Sequence, residues 1–362
     1  MPLNRATGEE PWSPILIEGT TATERASFRR CRRQWFLSVV HRLKRAGGDS
    51  NFWFGEIVHA GLEAYYKGIQ AKRPWAECQE AGLSAFADGW KRIVAVAREE
   101  LGGLFDTYAQ EYNDAWELGG QMLPAYFKRD RKSGLGKVIL VELRHTVPIL
   151  GPDGKPLRRG TISCRYDLVV EKPNGDIWII DHKTASQKPS SAQLDLDDQL
   201  TALAYVWWRK TGKWPRGQVY NVLIKKIATQ PKLLKSGKLS IDRSQSTTYA
   251  LYMEAIKEHG LAINEYSEVL AYFQATGDGD FFVSEGVFRT RGQIDEFERN
   301  LYYEFLDMNM VASEPERAYP NPSPFNCPSC GVRQICQAMM DGREQDPAAL
   351  IRANYWIGEP RI

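Results

Sequence analysis

The stretch from Gly160 to Thr184 constrains the fold most, because it holds two short apolar segments separated by a turn. Residues 165–171 are rich in β-branched and aromatic side chains and predict one strand, and residues 176–181 predict a second. The Lys-Pro-Asn-Gly sequence between them is typical of a tight turn. The sequence therefore predicts an antiparallel hairpin whose second strand ends in charged residues.

The charged residues of this hairpin can converge at one end of it. Because side chains alternate along a strand, Asp181 and Lys183 share one face while His182 points away, and the hairpin brings Asp167 beside them. Two carboxylates and a lysine can hold a divalent cation and leave an ammonium to orient water or stabilise an anion. An ordinary surface hairpin with an Asp–Lys ion pair fits the same residues, and this short pattern alone does not separate the two interpretations.

The composition is that of a globular protein. Of the 362 residues, 43% are hydrophobic and 25% charged, which suffices for one large domain or two ordinary ones with a substantial core. The net charge of +2 does not by itself indicate a nucleic-acid partner. The first residues lack the apolar segment of an export signal, and no apolar run reaches the length of a membrane span. We therefore expect a cytoplasmic protein with no membrane partner.

Cysteine usage favours a bound metal or cluster. Six cysteines in a chain without an export signal argue against a disulfide framework and for ligation. Cys78 and Cys164 have no second cysteine at a ligand-like spacing, so they are predicted to pack in the core. The other four are candidate ligands.

Two predicted helices follow the N-terminal residues. Residues 21–44 predict a helix, and residues 25–45 contain eight Lys or Arg and no acidic residue. A solvated helix face explains such a run, and contact with phosphates is the alternative. Residues 52–70 predict an amphipathic helix with His59 among its apolar residues, where a histidine is more often part of the core than a ligand.

Several of these motifs, taken in order, resemble the PD-(D/E)XK nuclease superfamily. They are Gly55-Glu-Ile-Val-His59 on a helix, Asp167, Asp181-His-Lys183 and Gln199. The resemblance is strongest to the RecB-like branch, which includes the CRISPR-associated RecB-like exonucleases, the AddB nuclease domain and many phage exonucleases. It spans most of the chain, from Phe28 to Cys336.

The resemblance implies an α/β fold with a PD-(D/E)XK (restriction-endonuclease-like) core, in which a central mixed sheet is flanked by helices. A helical N-terminal region and a C-terminal cluster-binding segment are added to that core. The expected segments are a surface arm (1–20), a helical region with a cysteine and a histidine ligand (21–136), the nuclease core (137–312) and an iron–sulfur segment (313–362).

The resemblance also implies the metal ligands. Asp167 and Asp181 would bind Mg²⁺ or Mn²⁺, and the His182 backbone carbonyl and His59 would add further ligands. Such an ion polarises the scissile phosphate and lowers the pKa of a bound water. Lys183 would orient that water or stabilise the charge of the transition state.

Two positions leave alternatives open. Gly160-Thr-Ile-Ser163 resembles a glycine–x–Ile–Asp motif of the family with serine in place of the aspartate; we prefer Asp167, because it lies in a strand at a separation that suits the hairpin. The Ser163 alignment would remove one metal ligand. Glu142, in the strand predicted over residues 137–150, either joins the metal ligands or is an exposed strand residue.

Contacts with DNA are implied for the helix after the hairpin and for the basic helix. Family members carry a glutamine followed four residues later by a tyrosine; Gln199 matches the first, Leu203 stands at the second, and Tyr205 is the aromatic candidate nearby. The candidates for phosphate contact are Arg29, Arg30, Arg32 and Arg33.

The cysteine pattern resembles the cluster signature of the same branch, in which a helix such as 21–44 carries the first ligand. Cys31 followed by Cys327, Cys330 and Cys336 supplies four thiolates, enough for a [4Fe–4S] cluster. Zinc bound by the same cysteines is the alternative, although zinc ribbons normally use two close pairs. Buried free cysteines near the C-terminus are the third possibility.

The function implied is that of a metal-dependent DNA exonuclease acting on single strands or DNA ends, in recombination, repair or phage DNA processing. The chain has no Walker sequence, so a helicase or recombination protein would be a separate partner. The alternative is a non-catalytic iron–sulfur protein that binds DNA as an adaptor and has a degraded nuclease site.

Overall fold

A computed structural model of the chain describes residues 13–45, 50–341 and 346–358. Most of the predicted N-terminal arm, residues 1–12, lies outside the described residues, as do residues 342–345 and 359–362 of the predicted C-terminal segment. The rest forms a central mixed sheet flanked by helices, which confirms the predicted fold class.

The central sheet contains both parallel and antiparallel pairs. In chain order the strands are β1 (Gly19–Thr21), β2 (Leu43–Arg45), β3 (Lys137–Leu150), β4 (Pro156–Glu171), β5 (Ile177–Ala185), β6 (Gly217–Ile224), β7 (Phe282–Val287) and β8 (Tyr355–Ile357). The sheet order is β1-β4-β5-β6-β7, with β3 also paired to β4, while β2 and β8 form a separate two-stranded ribbon. β1 runs parallel to β4 and β5 parallel to β6; the other pairs are antiparallel.

Helices precede, interrupt and follow the sheet in the sequence. They are α1 (Ala22–Arg30), α2 (Arg32–Trp35) with a π-helical turn (Phe36–Val40), α3 (Ser50–Gln70), α4 (Trp75–Leu101), α5 (Phe105–Asp130), α6 (Ser191–Asp195), α7 (Asp198–Thr211), α8 (Tyr249–Glu258), α9 (Ser267–Thr276), α10 (Arg291–Ser313), α11 (Arg333–Asp341) and α12 (Pro347–Asn354). Short 3₁₀ turns cover Gly102–Leu104, Ile263–Tyr266 and Pro315–Arg317. Within the described ranges, no helix combines the length and the apolar character that crossing a bilayer requires.

The predicted hairpin is confirmed as β4 and β5. They pair antiparallel from Leu168 with Ile180 to Glu171 with Ile177. The turn closes with a hydrogen bond of 2.9 Å from the Lys172 amide to the Asp176 carbonyl. Gly175 has a φ of +85°, which favours glycine because a side chain there would be strained.

β4 changes its partner on one side along its length. It pairs with β1 over residues 161–163 and with β5 over residues 168–171. Between them, residues 164–167 have no strand neighbour on that side in the described part of the chain. We call this interval the notch.

β1 stops where α1 begins. Thr21 is the last residue of the strand and the N-cap of the helix, and its side chain accepts a hydrogen bond of 3.2 Å from the Glu24 amide. The Glu24 carboxylate returns a bond of 2.9 Å by accepting from the Thr21 amide. This capping box fixes the point at which strand becomes helix.

Both faces of the sheet are covered. Ile179 packs with residues of α7 and α10, whereas its neighbour Ile180 packs with α3, α4 and α5 on the opposite face. A strand covered on both faces needs apolar residues at consecutive positions, which explains the run of apolar residues in β5.

Smaller hydrophobic clusters lie beside the central core, and two of them are relevant here. Phe28 and Trp35 of the N-terminal helices pack with Ile335 of α11 and Ile351 of α12. This contact joins the two ends of the described chain. α8 and α9 share a separate cluster around Tyr252.

The prediction of one helix over residues 21–44 is wrong, because the helix is interrupted at Cys31. This residue is extended, with φ −163° and ψ 115°, and separates α1 from α2. The Cys31 sulfur accepts a hydrogen bond of 3.4 Å from the Asn321 amide of the C-terminal segment. The interruption of the helix thus lies where distant parts of the chain meet. The local apolar pattern could not predict that contact.

Two other segments, residues 193–209 and 246–276, each have a sequence that predicts one helix, and both are divided in the structure. Residues 193–209 fall into α6 and α7, and Asp197 caps α7 by accepting a hydrogen bond of 2.8 Å from the Leu200 amide. Residues 246–276 fall into α8 and α9, after a turn in which Gly260 has a φ of +62°. In the first case an N-cap begins a new helix, and in the second a left-handed residue follows the end of α8, although the apolar pattern continues in both.

His41 follows the π-helical turn and packs against Phe36 of the cluster around Phe28 and Trp35. It makes the stability of the protein depend on pH. Burial, helped by Arg42, lowers the pKa of His41 to about 4, and its ring packs edge-on to Phe36 with centroids 4.6 Å apart. In the unfolded chain a histidine titrates near pH 6.5. The unfolded chain therefore binds the extra proton first, so stability is full above about pH 6.5 and falls as the pH drops toward 4.

We expect His41→Leu to reduce this loss of stability. Between pH 7.5 and 5.0, wild type should lose up to about 2 kcal/mol more of its free energy of unfolding than the variant. Urea unfolding at the two pH values measures the difference. An equal loss in both proteins would show that His41 is not the group responsible.

Candidate active site

Asp181 and Lys183 lie on the same face of β5, as the strand period predicts. The Lys183 ammonium is 2.8 Å from Asp181 Oδ2. Gln199, on α7, donates a hydrogen bond of 3.0 Å to Asp181 Oδ1 and accepts one of 3.4 Å from Lys183. The structure therefore brings these three predicted residues together, with the amide holding both charged groups in place.

Asp167 lies at the end of the notch next to β5. Its Oδ2 accepts a hydrogen bond of 2.7 Å from the His182 backbone amide. The same oxygen is 3.7 Å from His59 Nδ1. The carboxylate thus takes the place of a strand neighbour for β5 and links that strand to α3, which carries the predicted histidine.

Glu142 completes a group of possible metal ligands. Its Oε1 is also 3.7 Å from His59 Nδ1, and ligand atoms of His59, Glu142 and Asp167 lie within 4.8 Å of one another. Metal–ligand bonds of about 2.0–2.6 Å place opposite ligands of one ion about 4–5 Å apart, so the three residues fit a divalent cation. Asp181, the other predicted carboxylate ligand, is outside this set and is paired with Lys183.

Glu142 is buried, so its interpretation as an exposed strand residue is wrong. Its side chain is 6% exposed, and its Oε2 is 2.5 Å from Arg165 Nε. Its backbone has a φ of +46°, an uncommon conformation for a residue with a side chain. A strand pattern read from sequence does not anticipate this conformation.

On both β3 and β4, the regular alternation of side chains between the two faces of the sheet is interrupted at the site. Tyr166 and Leu168, which a regular strand would place on one face, pack on opposite faces of the sheet. On β3, Val141 and Val147 are divided in the same way. Glu142 lies between Val141 and Leu143, which pair with Leu168 and Tyr166. The local irregularity therefore directs the carboxylates of both strands toward His59.

Burial and mutual charge set the electrostatics of the site. Burial first, and then the Asp181 charge, raise the pKa of Asp167. Burial would lower the pKa of Lys183, but the Asp181 and Asp167 charges outweigh it and raise that pKa. For His59, burial is likewise outweighed by the neighbouring Glu142 carboxylate and by the Asp167 charge, so its pKa is raised. Crowded carboxylates of this kind favour a bound cation.

His182 points to the opposite face of β5, as predicted. Its ring stacks on Tyr66 with centroids 5.5 Å apart, and its Nδ1 lies 2.8 Å from Asn221 Nδ2. Because the amide nitrogen can only donate, Nδ1 accepts and the neutral ring carries its proton on Nε2. Burial lowers the pKa of His182, in keeping with a neutral ring. Ligation through its backbone carbonyl remains a prediction.

Ser163, the alternative to Asp167, lies apart from these groups. Its hydroxyl is 2.7 Å from the Thr146 hydroxyl, and it belongs to the part of β4 that pairs with β1. The choice between the two alignments can therefore be tested directly.

We expect Asp167→Asn to weaken Mn²⁺ binding by at least about 10-fold, because it removes a charged ligand. Ser163→Ala should leave the affinity within about twofold of wild type. Titration calorimetry without DNA measures both. A loss of affinity in Ser163→Ala that matches the loss in Asp167→Asn would favour the Ser163 alignment.

The predicted phosphate-binding arginines have different environments. Arg29 pairs with Glu304 at 2.6 Å and with Asp198 at 3.3 Å, so its charge is largely balanced within the protein. Arg32 lies over the rings of Phe28 and Tyr319. Arg33 donates to the Ala318 carbonyl at 3.1 Å, and Arg30 is exposed. Their contact with DNA remains a prediction; Arg29 and Arg30 are exposed, whereas Arg32 and Arg33 are partly buried.

The predicted contact of Tyr205 with DNA is wrong for this structure. The side chain is fully buried on α7 and packs against Phe297 with ring centroids 5.3 Å apart. A ring enclosed in this way cannot stack on a base, and its role is to pack α7 against α10.

The four candidate cluster cysteines line one cavity of about 290 Å³. Cys31 comes from the break between α1 and α2, and Cys327, Cys330 and Cys336 come from the C-terminal segment. The Ser323 amide donates to the Cys327 sulfur at 3.4 Å, as the Asn321 amide does to Cys31. Burial raises the pKa of Cys330, and the neighbouring thiols raise it further.

The two possible metal occupants require different distances between the sulfurs. Zinc–sulfur bonds of about 2.3 Å in a tetrahedral site place the sulfurs roughly 3.8 Å apart. Across the described ranges, no three of these sulfurs lie within 4.8 Å of one another. Cys78 and Cys164 are buried elsewhere as free thiols, as predicted.

Sequence reasoning missed several residues that support the site. Arg165 contacts Glu142, and Asn221 on β6 holds the His182 ring while it also donates to the Tyr126 hydroxyl at 2.9 Å. β5 and β6 run parallel, and residues 182 and 221 are register partners. Only the strand order reveals this pairing.

The comparison with known families agrees with this geometry. No curated protein matches the chain significantly. The model of the PD-(D/E)XK nuclease superfamily matches residues 20–337, a range that contains all but the first residue of the central sheet and all the residues of the site. Nucleases of this superfamily use divalent metal ions, for which His59, Glu142 and Asp167 provide ligands. The chain therefore belongs to the PD-(D/E)XK nuclease superfamily.

Proposed function

We propose that this chain is a Mg²⁺- or Mn²⁺-dependent deoxyribonuclease of the RecB-like branch, acting as an exonuclease on single-stranded DNA or DNA ends. One observation carries the proposal: Asp167, Asp181 and Lys183 converge beside the notch, together with His59 and Glu142. Recombination, repair or phage DNA processing is the proposed context, and it rests on the resemblance of the motifs.

Different residues of the site would bind the cation and take part in the reaction. His59, Asp167 and Glu142 would hold the cation, and Asp181 lies close enough to influence Asp167. The bound ion would polarise a phosphate oxygen and lower the pKa of a water molecule. These ligands are side chains fixed on α3, β3 and β4, so the binding geometry is largely set before DNA arrives.

Lys183 supplies a positive charge at the site. Its side chain is 31% exposed, so the ammonium can reach a substrate while it remains paired with Asp181. Because its pKa is raised, it stays protonated and can stabilise negative charge on phosphate. Gln199 orients both groups through its two hydrogen bonds.

We also propose that the four cysteines hold a [4Fe–4S] cluster. Two observations support a bound metal group: the cysteines surround one cavity, and backbone amides donate to two of the sulfurs. The resemblance of the cysteine pattern to the RecB-like branch favours the cluster over zinc. A cluster with irons at separate corners holds its thiolates further apart than one ion does. Its proposed role is to fasten α1 and α2 to the C-terminal segment.

The nuclease proposal is tested with end-labelled DNA. Wild type in Mg²⁺ or Mn²⁺ should release short labelled products from single strands or duplex ends and leave closed circular DNA intact. EDTA or Asp181→Asn should stop the reaction. Cleavage of closed circles would indicate an endonuclease instead. Tight DNA binding by wild type without any cleavage would leave the adaptor function.

A further inference from the structure

We propose that Arg165 is a DNA-phosphate ligand that cation binding releases from Glu142. In this scheme the Glu142–Arg165 ion pair is exchanged when the ion arrives, so metal loading and DNA binding strengthen each other. The inference rests on the proposed function, since it assigns a substrate contact to the same site.

The two oxygens of Glu142 serve different partners. Oε1 is 3.7 Å from His59 Nδ1, on the side of the candidate metal ligands, and Oε2 is 2.5 Å from Arg165 Nε. A cation held by His59, Asp167 and Glu142 would therefore compete with Arg165 for one carboxylate. Two positive groups on the same carboxylate weaken each other's attraction to it, so binding of the ion loosens the arginine.

Arg165 is placed to move away from Glu142 toward solvent. Its side chain is 59% exposed, whereas that of Glu142 is 6% exposed. The carboxylate is therefore fixed within the protein, and the guanidinium lies at the surface. A buried carboxylate that loses its partner is costly, so Arg165 can leave only when the cation takes over the charge of Glu142. A competing anion can consequently displace Glu142 at little cost once the cation has neutralised it.

The surface around Arg165 suits an anion. Arg144 on β3 is its direct cross-strand partner. The two arginines therefore share one face of the β3–β4 pair, next to the candidate metal ligands. A phosphate can accept hydrogen bonds from both guanidinium groups. Arginine binds phosphate through a planar set of donors, and Nε is the atom that Glu142 engages here.

If the exchange occurs, a bound cation should increase the affinity of the protein for DNA. Ca²⁺ is a suitable probe, because it binds oxygen ligands and allows binding to be measured on intact DNA. Wild type should bind a fluorescein-labelled single-stranded oligonucleotide at least about 5-fold more tightly in Ca²⁺ than in EDTA at equal ionic strength. Fluorescence anisotropy measures both affinities.

Substitutions distinguish the exchange from a general effect of net charge on DNA affinity. Arg165→Gln should weaken binding in Ca²⁺ by about 5-fold but leave binding in EDTA nearly unchanged, because the arginine is already paired there. Glu142→Gln should bind DNA more tightly than wild type in EDTA. That gain should vanish in the double variant Glu142→Gln/Arg165→Gln if Arg165 mediates it.

Arg159→Gln is the matched control. Arg159 lies on the same strand with a side chain 60% exposed, and it pairs with Glu18 rather than with a residue of the site. Its loss should change DNA affinity by the same factor in Ca²⁺ and in EDTA. An identical pattern in Arg165→Gln, or a gain in Glu142→Gln that persists in the double variant, would overturn the inference.

Failure of the inference is distinguishable from failure of the proposed function. Calorimetric titration of wild type with Mn²⁺ and Ca²⁺, without DNA, reports cation binding alone. If neither ion binds, the metal-dependent nuclease proposal fails. If an ion binds and Mn²⁺ supports cleavage, but Arg165→Gln weakens DNA equally with and without Ca²⁺, only the exchange is wrong.

Discussion

Replacing Lys183 with glutamine is expected to slow DNA cleavage by at least about 100-fold while the protein still binds Mn²⁺. Lys183 places its ammonium 2.8 Å from Asp181 and keeps it charged within a mostly buried site. Removing that charge would remove the stabilisation that we propose for the anionic transition state. Affinity for Mn²⁺ should stay equal or rise, because the carboxylates lose a competing cation.

Lys188→Gln provides the control for this variant. Lys188 lies beyond the end of β5, has a side chain 59% exposed and pairs with Glu285 at 2.6 Å. It should keep wild-type cleavage within about twofold. The measurement is the initial rate on end-labelled DNA, together with calorimetric titration of Mn²⁺. Cleavage by Lys183→Gln within threefold of wild type would contradict a catalytic role, and parallel loss of Mn²⁺ binding would indicate damage to the site.

The second large effect is expected from Cys330→Ser. Wild type prepared without oxygen should contain iron and absorb visible light, and the variant should lose both. The cluster would join Cys31 to the C-terminal cysteines across the core formed by α1, α2, α11 and α12. Such a link restrains a long segment of chain, so its loss should lower the unfolding temperature by on the order of 5–10 °C.

Cys78→Ala separates ligand loss from loss of a buried thiol. Cys78 is fully buried on α4, far in sequence from the other cysteines, and its thiol donates to the Arg73 carbonyl at 3.6 Å. This variant should keep its iron. Elemental analysis of wild type decides the occupant: zinc without iron would identify a zinc site, and the absence of both metals would leave four free cysteines.

Much of the site could be predicted because it depends on short-range regularities. The turn at residues 172–175 defines the hairpin, and the strand period places Asp181 and Lys183 on one face with His182 on the other. The amphipathic pattern of residues 52–70 predicted the helix α3, and the family motif singled out His59 within it. These features are local, so a single sequence contains them.

The rest depends on contacts between distant residues or on unusual backbone geometry. A positive φ turns Glu142 inward where the strand pattern allowed an exposed side chain. Asp198 and Glu304 neutralise Arg29, although they follow it by well over a hundred residues. Tyr205 is buried because α10 covers α7, which its aromatic character alone could not reveal. Each of these is a tertiary effect that overrides local preference.

A helix cap at one end of the chain keeps the centre of the sheet open. β1 runs parallel to β4 and ends at Thr21 opposite Ser163, so each added strand residue would advance along β4 toward Asp167. The capping box of Thr21 and Glu24 turns the chain away first. We therefore expect substitutions that remove this cap to favour strand addition over the notch. Access to a catalytic centre would then be governed by two residues that touch neither the ion nor the nucleic acid.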